Sequence, residues 1–218
     1  RAGEGALAGL FGDGKAPTTL FLWLSTFGTL LIMYLLLGWM PSLLVQMGLT
    51  KQDAQYVQMI YNLGSAIGAA LAGYLLDKKL LYTTPTLAYL LLALLLGFFG
   101  LAAFDFRAAL ALGFGVGAGV TTAQAVLYAF APLCYKESIR NTGVGATVAA
   151  GRLGTIVGPL LAGSLLGSGK SAAQVLLVLI PITLVSGIMS LLVVRTLKRD
   201  APKVSGVAVP GAHPAGGR

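Results

Sequence analysis

Charge is scarce in this sequence. Only 10% of its 218 residues are Asp, Glu, Lys or Arg, against about a quarter in an ordinary soluble domain. With 56% hydrophobic residues and a mean hydropathy of +0.84, the composition excludes a soluble fold. The lone cysteine, Cys134, excludes an internal disulfide framework and a cysteine-rich metal site. The lone histidine, His213, sits in a Gly/Pro tail and is not read as a metal or proton site. No nucleophile–base pair, metal cluster or paired carboxylate is present, so no enzyme is read and no cofactor is implied. The glycines Gly113, Gly115, Gly117 and Gly119 follow no strand and precede no GK[ST] motif, which excludes a phosphate-cradling loop. An initiator methionine and a signal peptide are also lacking. The chain opens at Arg1 in polar, glycine-rich sequence, which reads as the interior of a longer protein.

Long apolar runs are what the chain has instead. Six are long enough to span a bilayer as helices: Thr19–Leu44, Tyr56–Leu76, Thr83–Phe104, Ala108–Ala131, Thr142–Leu166 and Ala172–Val194. The polar breaks between them are short, which predicts antiparallel neighbours. The fold class is therefore all-α, a polytopic transmembrane bundle in contact with lipid. The expected organisation is a cytoplasmic segment over residues 1–18, a six-helix bundle over 19–194 and a disordered, basic tail over 195–218.

Lysine and arginine divide unevenly about these spans. Arg1, Lys15, Lys78, Lys79, Lys136, Arg140, Arg195, Lys198, Arg199, Lys203 and Arg218 fall on one side; Lys51, Arg107 and Lys170 fall on the other. The positive-inside rule then places both termini in the cytoplasm of a plasma or inner membrane. The net charge of +8 is accounted for by topology and calls for no nucleic-acid partner.

Arg152 belongs to neither side. With helix starting near Thr142 it lies roughly 15 Å deep at about 1.5 Å per residue, half of a ~30 Å hydrocarbon core. An arginine there costs at least ~2.5–3.5 kcal/mol on insertion scales, which marks it as functional by default. Its planar fork suits a carboxylate; a structural arginine paired with backbone carbonyls is the alternative. Gln58, Tyr61 and Asn62 share one face at helical spacing, as do Thr121, Gln124 and Tyr128. Each face reads either as a binding surface or as interhelical hydrogen-bond glue. Tyr34 and Trp39 are candidates to stack on an aromatic ring, and Trp39 reads better as an interface anchor. The third and sixth spans hold few polar groups and are expected to face lipid. Four helices around a polar space, in two sets of three, fit a three-plus-three repeat.

Three stretches carry a resemblance to the major facilitator superfamily: Gly73-Tyr-Leu-Leu-Asp77-Lys-Lys, Tyr135-Lys-Glu137-Ser-Ile-Arg140-Asn-Thr-Gly143-Val-Gly145 and Gly151-Arg152-Leu-Gly154-Thr-Ile-Val-Gly158-Pro159. Within it, Leu22-Trp23, Tyr34, Trp39-Met-Pro41 and Gly48 look like the aromatic acid:proton symporter family. The resemblance implies the C-terminal six-helix half of a twelve-helix transporter, with the N-terminal half as the missing partner. It implies proton-coupled uptake of aromatic carboxylates or similar small organic anions by alternating access. Arg152, Gln58, Tyr61, Asn62, Gln124, Tyr128 and Tyr34 are then the substrate-binding candidates. Asp77, Glu137 and Arg140 are candidates for an ion-pair gate at the cytoplasmic face. No acidic residue lies at membrane depth, so the proton-carrying carboxylate is expected from the other half. The alternatives are a symporter for another metabolite and a non-transporting membrane scaffold.

Overall fold

A computed structural model describes residues 9–12, 14–78, 83–101 and 105–200. Six long helices account for almost all of these residues: α1 (Ala16–Gln46), α2 (Lys51–Asp77), α3 (Thr84–Leu101), α4 (Phe106–Cys134), α5 (Arg140–Gly167) and α6 (Ala172–Asp200). One 3₁₀ turn, Glu137–Ile139, leads into α5. Five of the six are long and apolar enough to cross a membrane; α3 is the shorter apolar one. At 18 residues α3 reaches about 27 Å, near the lower limit for a span.

The helices extend beyond the apolar runs because their polar ends carry their own start and stop signals. Thr50 caps α2, its hydroxyl accepting from the Asp53 amide at 3.1 Å. Gly48, at φ 106°, makes the reversal between α1 and α2 in a region that costs a side chain strain. At the other end, α6 runs on through Arg195, Lys198 and Arg199 to Asp200, where disorder was expected from 195. Residues 201–218, with His213, lie outside the described residues.

Helices α1 and α4 form the centre. In their apolar windows 56% and 50% of residues are buried, against 22% in both α2 and α5. The most extensive pairings are α2 with α4 and α1 with α5; α3 and α6 pair behind them, and α1 meets α4 in the middle. The four helices expected around a polar space thus stand side by side in the order α2, α4, α1, α5. Leu31, Ile32, Leu35 and Leu36 of α1 share one core with Val116 and Val120 of α4, Leu92, Leu96 and Phe99 of α3, and Leu176 and Leu179 of α6.

The packing repeats. Gly64 and Gly68 of α2 lie so close to α4 that an added Cβ would strike the carbonyl oxygens of Phe114 and Ala118. Gly154 and Gly158 of α5 lie the same way against the carbonyl oxygens of Phe27 and Leu31 of α1. Exchanging α1, α2 and α3 for α4, α5 and α6 therefore carries one seam onto the other. This is the three-plus-three organisation that the polarity of the spans predicted.

The outer helices face outward as expected: Leu87, Leu91, Leu94 and Phe98 of α3 and Leu184 and Ile188 of α6 are exposed. Their inner faces are more polar than expected. Tyr89 of α3 is buried, its hydroxyl hydrogen-bonded to those of Ser25 (3.2 Å) and Thr29 (2.6 Å) of α1. Ser25 in turn donates to the Ser186 carbonyl of α6 at 2.8 Å.

Candidate functional site

Arg152 lies on α5 twelve residues after Arg140, near the middle of a 28-residue helix. It is exposed on the bundle's own surface, and Nη1 donates to the Tyr34 hydroxyl of α1 at 3.5 Å, the outer limit of a hydrogen bond. A guanidinium has five N–H donors, so a single long bond leaves nearly all its capacity unused. Among the described residues no carboxylate pairs with it; Asp53, Asp77, Asp105 and Glu137 all sit at or beyond helix ends. Tyr34 is half-buried and is brought to Arg152 by the α1–α5 seam, in which Gly151 packs on Thr26 and Leu30.

The other candidates divide by helix face. Asn62 of α2 is exposed, half-way along a 27-residue helix, and makes no hydrogen bond among the described residues. Tyr61, about 100° around the helix from Asn62, is buried, with its backbone carbonyl against Gly117 of α4. Gln58 is half-buried, and both its amide atoms are covered without a hydrogen-bond partner, as are the Tyr61 hydroxyl and the Thr121 hydroxyl. Gln124 and Tyr128 are half-buried on α4. Trp39 packs its ring edge on Gly163 of α5 within the main core, a helix–helix contact. Thr26 and Thr29 turn inward and donate to the carbonyls of Leu22 and Ser25 at 2.7 Å each. Asp77, Glu137 and Arg140 are exposed at helix ends, and among the described residues no ion pair joins them.

Two crevices flank these residues. One, about 400 Å³, opens between α1 and α2 and is lined by Pro41, Ser42, Val45, Gln46, Lys51 and Gln55. Gln55 stands two turns before Asn62 on the same face of α2, and the crevice itself is confined to the ends of α1 and α2. The other, about 340 Å³, lies between α2, α3 and α4 among Leu71, Leu75, Leu87, Leu91 and Phe114. It offers no cation to a carboxylate.

The sequence matches the family described as Major Facilitator Superfamily over residues 22–215. The chain belongs to the major facilitator superfamily. It is 40% identical over 197 residues to the 3-(3-hydroxy-phenyl)propionate transporter of Escherichia coli (strain K12), covering 90% of this chain and 48% of that protein. It is 36% identical to the gallate transporter of Pseudomonas putida, over 73% of this chain and 36% of that one. With the benzoate transport protein of Acinetobacter baylyi it shares 32% identity, over 72% of this chain and 34% of that one. The chain thus matches about half the length, or less, of these relatives. All three are named for aromatic acids, in agreement with the resemblance carried by the motifs. The family and the five helices long and apolar enough to cross a membrane describe a multi-pass membrane protein.

One signal in the sequence went unread until the packing exposed it. Asn62-Leu-Gly64-Ser-Ala-Ile-Gly68-Ala-Ala-Leu-Ala-Gly73-Tyr-Leu-Leu recurs as Arg152-Leu-Gly154-Thr-Ile-Val-Gly158-Pro-Leu-Leu-Ala-Gly163-Ser-Leu-Leu. The glycines that seat α2 on α4 are those that seat α5 on α1, and the residue opening each stretch is Asn62 or Arg152. By the step that takes Phe27 to Phe114 and Leu31 to Ala118, Tyr34 corresponds to Thr121.

Proposed function

We propose that this bundle is the C-terminal half of a secondary transporter that takes up aromatic carboxylates together with protons, by alternating access. Arg152 carries the reading. A guanidinium exposed at mid-depth, with one weak bond and no carboxylate beside it, is costly to hold in a membrane. The cost is offset when an anionic ligand completes its fork. The relatives, named for aromatic acids, supply the ligand class. The polar side chains of α2 and α4 shape the rest of the pocket, and the low burial of α2 and α5 suits a surface that rocks against a second six-helix unit. That unit provides the proton-carrying carboxylate, since no acid of this chain lies at membrane depth. Both termini face the cytoplasm, as the lysine and arginine count requires.

The test is uptake of labelled 4-hydroxybenzoate by cells expressing this bundle together with its N-terminal six-helix half, with and without a protonophore. Wild-type uptake should collapse with the proton gradient. Arg152→Ala should reach the membrane at wild-type level and lose uptake. Near-normal uptake by that variant would sink the assignment.

A further inference from the structure

The repeat places Asn62 where Arg152 stands. Both open the same Leu-Gly stretch, both precede by two residues a glycine pressed on a neighbouring carbonyl oxygen, and both are exposed at the middle of their helices. Fixing the glycine register of a helix fixes which face every other position presents. Asn62 and Arg152 therefore occupy equivalent places on the two flanks of the α2, α4, α1, α5 row, at matching depth. Helices α2 and α5 make no substantial contact with each other, and the more central α4 and α1 stand between them.

The two places differ in chemistry. Arg152 is long enough to reach Tyr34 one turn along α1. Asn62 is shorter and makes no bond to Thr121, the counterpart of Tyr34, whose hydroxyl is covered and without a partner. One flank thus presents a cation and a phenol. The other presents a neutral amide, able both to donate and to accept, while the hydroxyl at the position matching Tyr34, that of Thr121, is covered. An aromatic acid has the same polarity: a carboxylate at one end and, in several of the relatives' named substrates, a hydroxyl at the other.

We propose that Asn62 is a specificity-determining contact that reads the ring hydroxyl, while Arg152 takes the carboxylate. The inference rests on the carboxylate reading of Arg152 given above. A site that hydrogen-bonds a substrate hydroxyl disfavours the analogue that lacks it, because the polar group is then left unpaired in a dry pocket.

The experiment compares 4-hydroxybenzoate with benzoate in the same uptake assay, for the wild type, Asn62→Ala, Asn62→Ser and Arg152→Ala. Wild type should favour the hydroxylated acid. Asn62→Ala should lower kcat/KM for 4-hydroxybenzoate by about tenfold, the worth of one hydrogen bond, and change benzoate less than about twofold, the outcome expected where only the hydroxyl contact is lost. Asn62→Ser, which keeps a short polar group, should fall between and guards against a folding defect in the alanine variant. An equal loss of both substrates, or no change in either, overturns the role of Asn62 and leaves Arg152 standing if Arg152→Ala abolishes both. If Arg152→Ala transports both normally, the carboxylate reading fails and this inference falls with it.

Discussion

Arg152 of α5 and Tyr34 of α1 touch at 3.5 Å, a guanidinium against a phenol hydroxyl across the tightest seam on their side of the bundle. Tyr34 is a weak partner for so strong a donor. It orients the guanidinium without satisfying it, which is what a site awaiting an anion needs.

Tyr34→Phe keeps the ring and removes that orienting oxygen. A neutral hydrogen bond at this length contributes on the order of 0.5–1 kcal/mol. The expected outcome is a KM for aromatic acid uptake raised about two- to fivefold at unchanged membrane expression. A complete loss of uptake would mean that Tyr34 itself contacts the substrate. No change would mean that the bond does not form in the working protein.

The glycine seams make a sharper prediction about stability. A methyl at Gly68 or Gly158 meets a backbone carbonyl of the facing helix, of Ala118 or Leu31, which cannot rotate away. Overpacking of this kind costs about 1–3 kcal/mol, and the upper end applies where the obstacle is backbone. Gly68→Ala and Gly158→Ala should each lower the melting temperature of the detergent-solubilised protein. Gly145→Ala, with nothing within 4 Å of the added Cβ, should not. Equal melting temperatures for all three would contradict the seams.

Much of this was legible beforehand. The apolar runs located every helix because a bilayer demands long apolar spans, and Arg152 stood out because charge at that depth is rare. The orphaned polar atoms of Gln58, Tyr61 and Thr121 were foreseeable as polar positions but not as unpartnered ones, since pairing depends on the facing helix. Tyr89 was missed: one tyrosine in an apolar run carries no sign of its partners Ser25 and Thr29, sixty or more positions away. The repeat that links Asn62 to Arg152 was in plain sight as Leu-Gly…Leu-Ala-Gly…Leu-Leu. It escaped because attention to charge separates an arginine from an asparagine. Among the described residues no ion pair joins Asp77, Glu137 and Arg140; spacing along the chain placed all three near helix ends and said nothing of their mutual distance.

Orientation is testable one end at a time. Lys51 and Glu137 are both exposed and lie at the ends of α2 and α5 that the charge count assigns to opposite faces. In a background with Cys134 replaced by Ala, Lys51→Cys should react with a membrane-impermeant maleimide added to intact cells. Glu137→Cys should react only after permeabilisation. The reverse pattern would invert the topology and move both termini outside.

The polar tie between α3 and α1 separates two kinds of loss at Tyr89. Ser25 and Thr29 already donate to the carbonyls of Ser186 and Ser25, so Tyr89→Phe leaves neither hydroxyl without a partner. Interhelical hydrogen bonds in membranes average about 0.6 kcal/mol, and the single Tyr89 proton serves one of these two oxygens at a time, so its loss should cost about that much, a small drop in melting temperature with uptake unchanged. Tyr89→Ala removes the ring as well, which is buried among three helices where Gly187 of α6 packs on its Cβ. Emptying an aromatic site costs about 3–5 kcal/mol. That variant should therefore melt far lower than Tyr89→Phe. If the two variants melt alike, the hydroxyl and not the ring holds α3 in place.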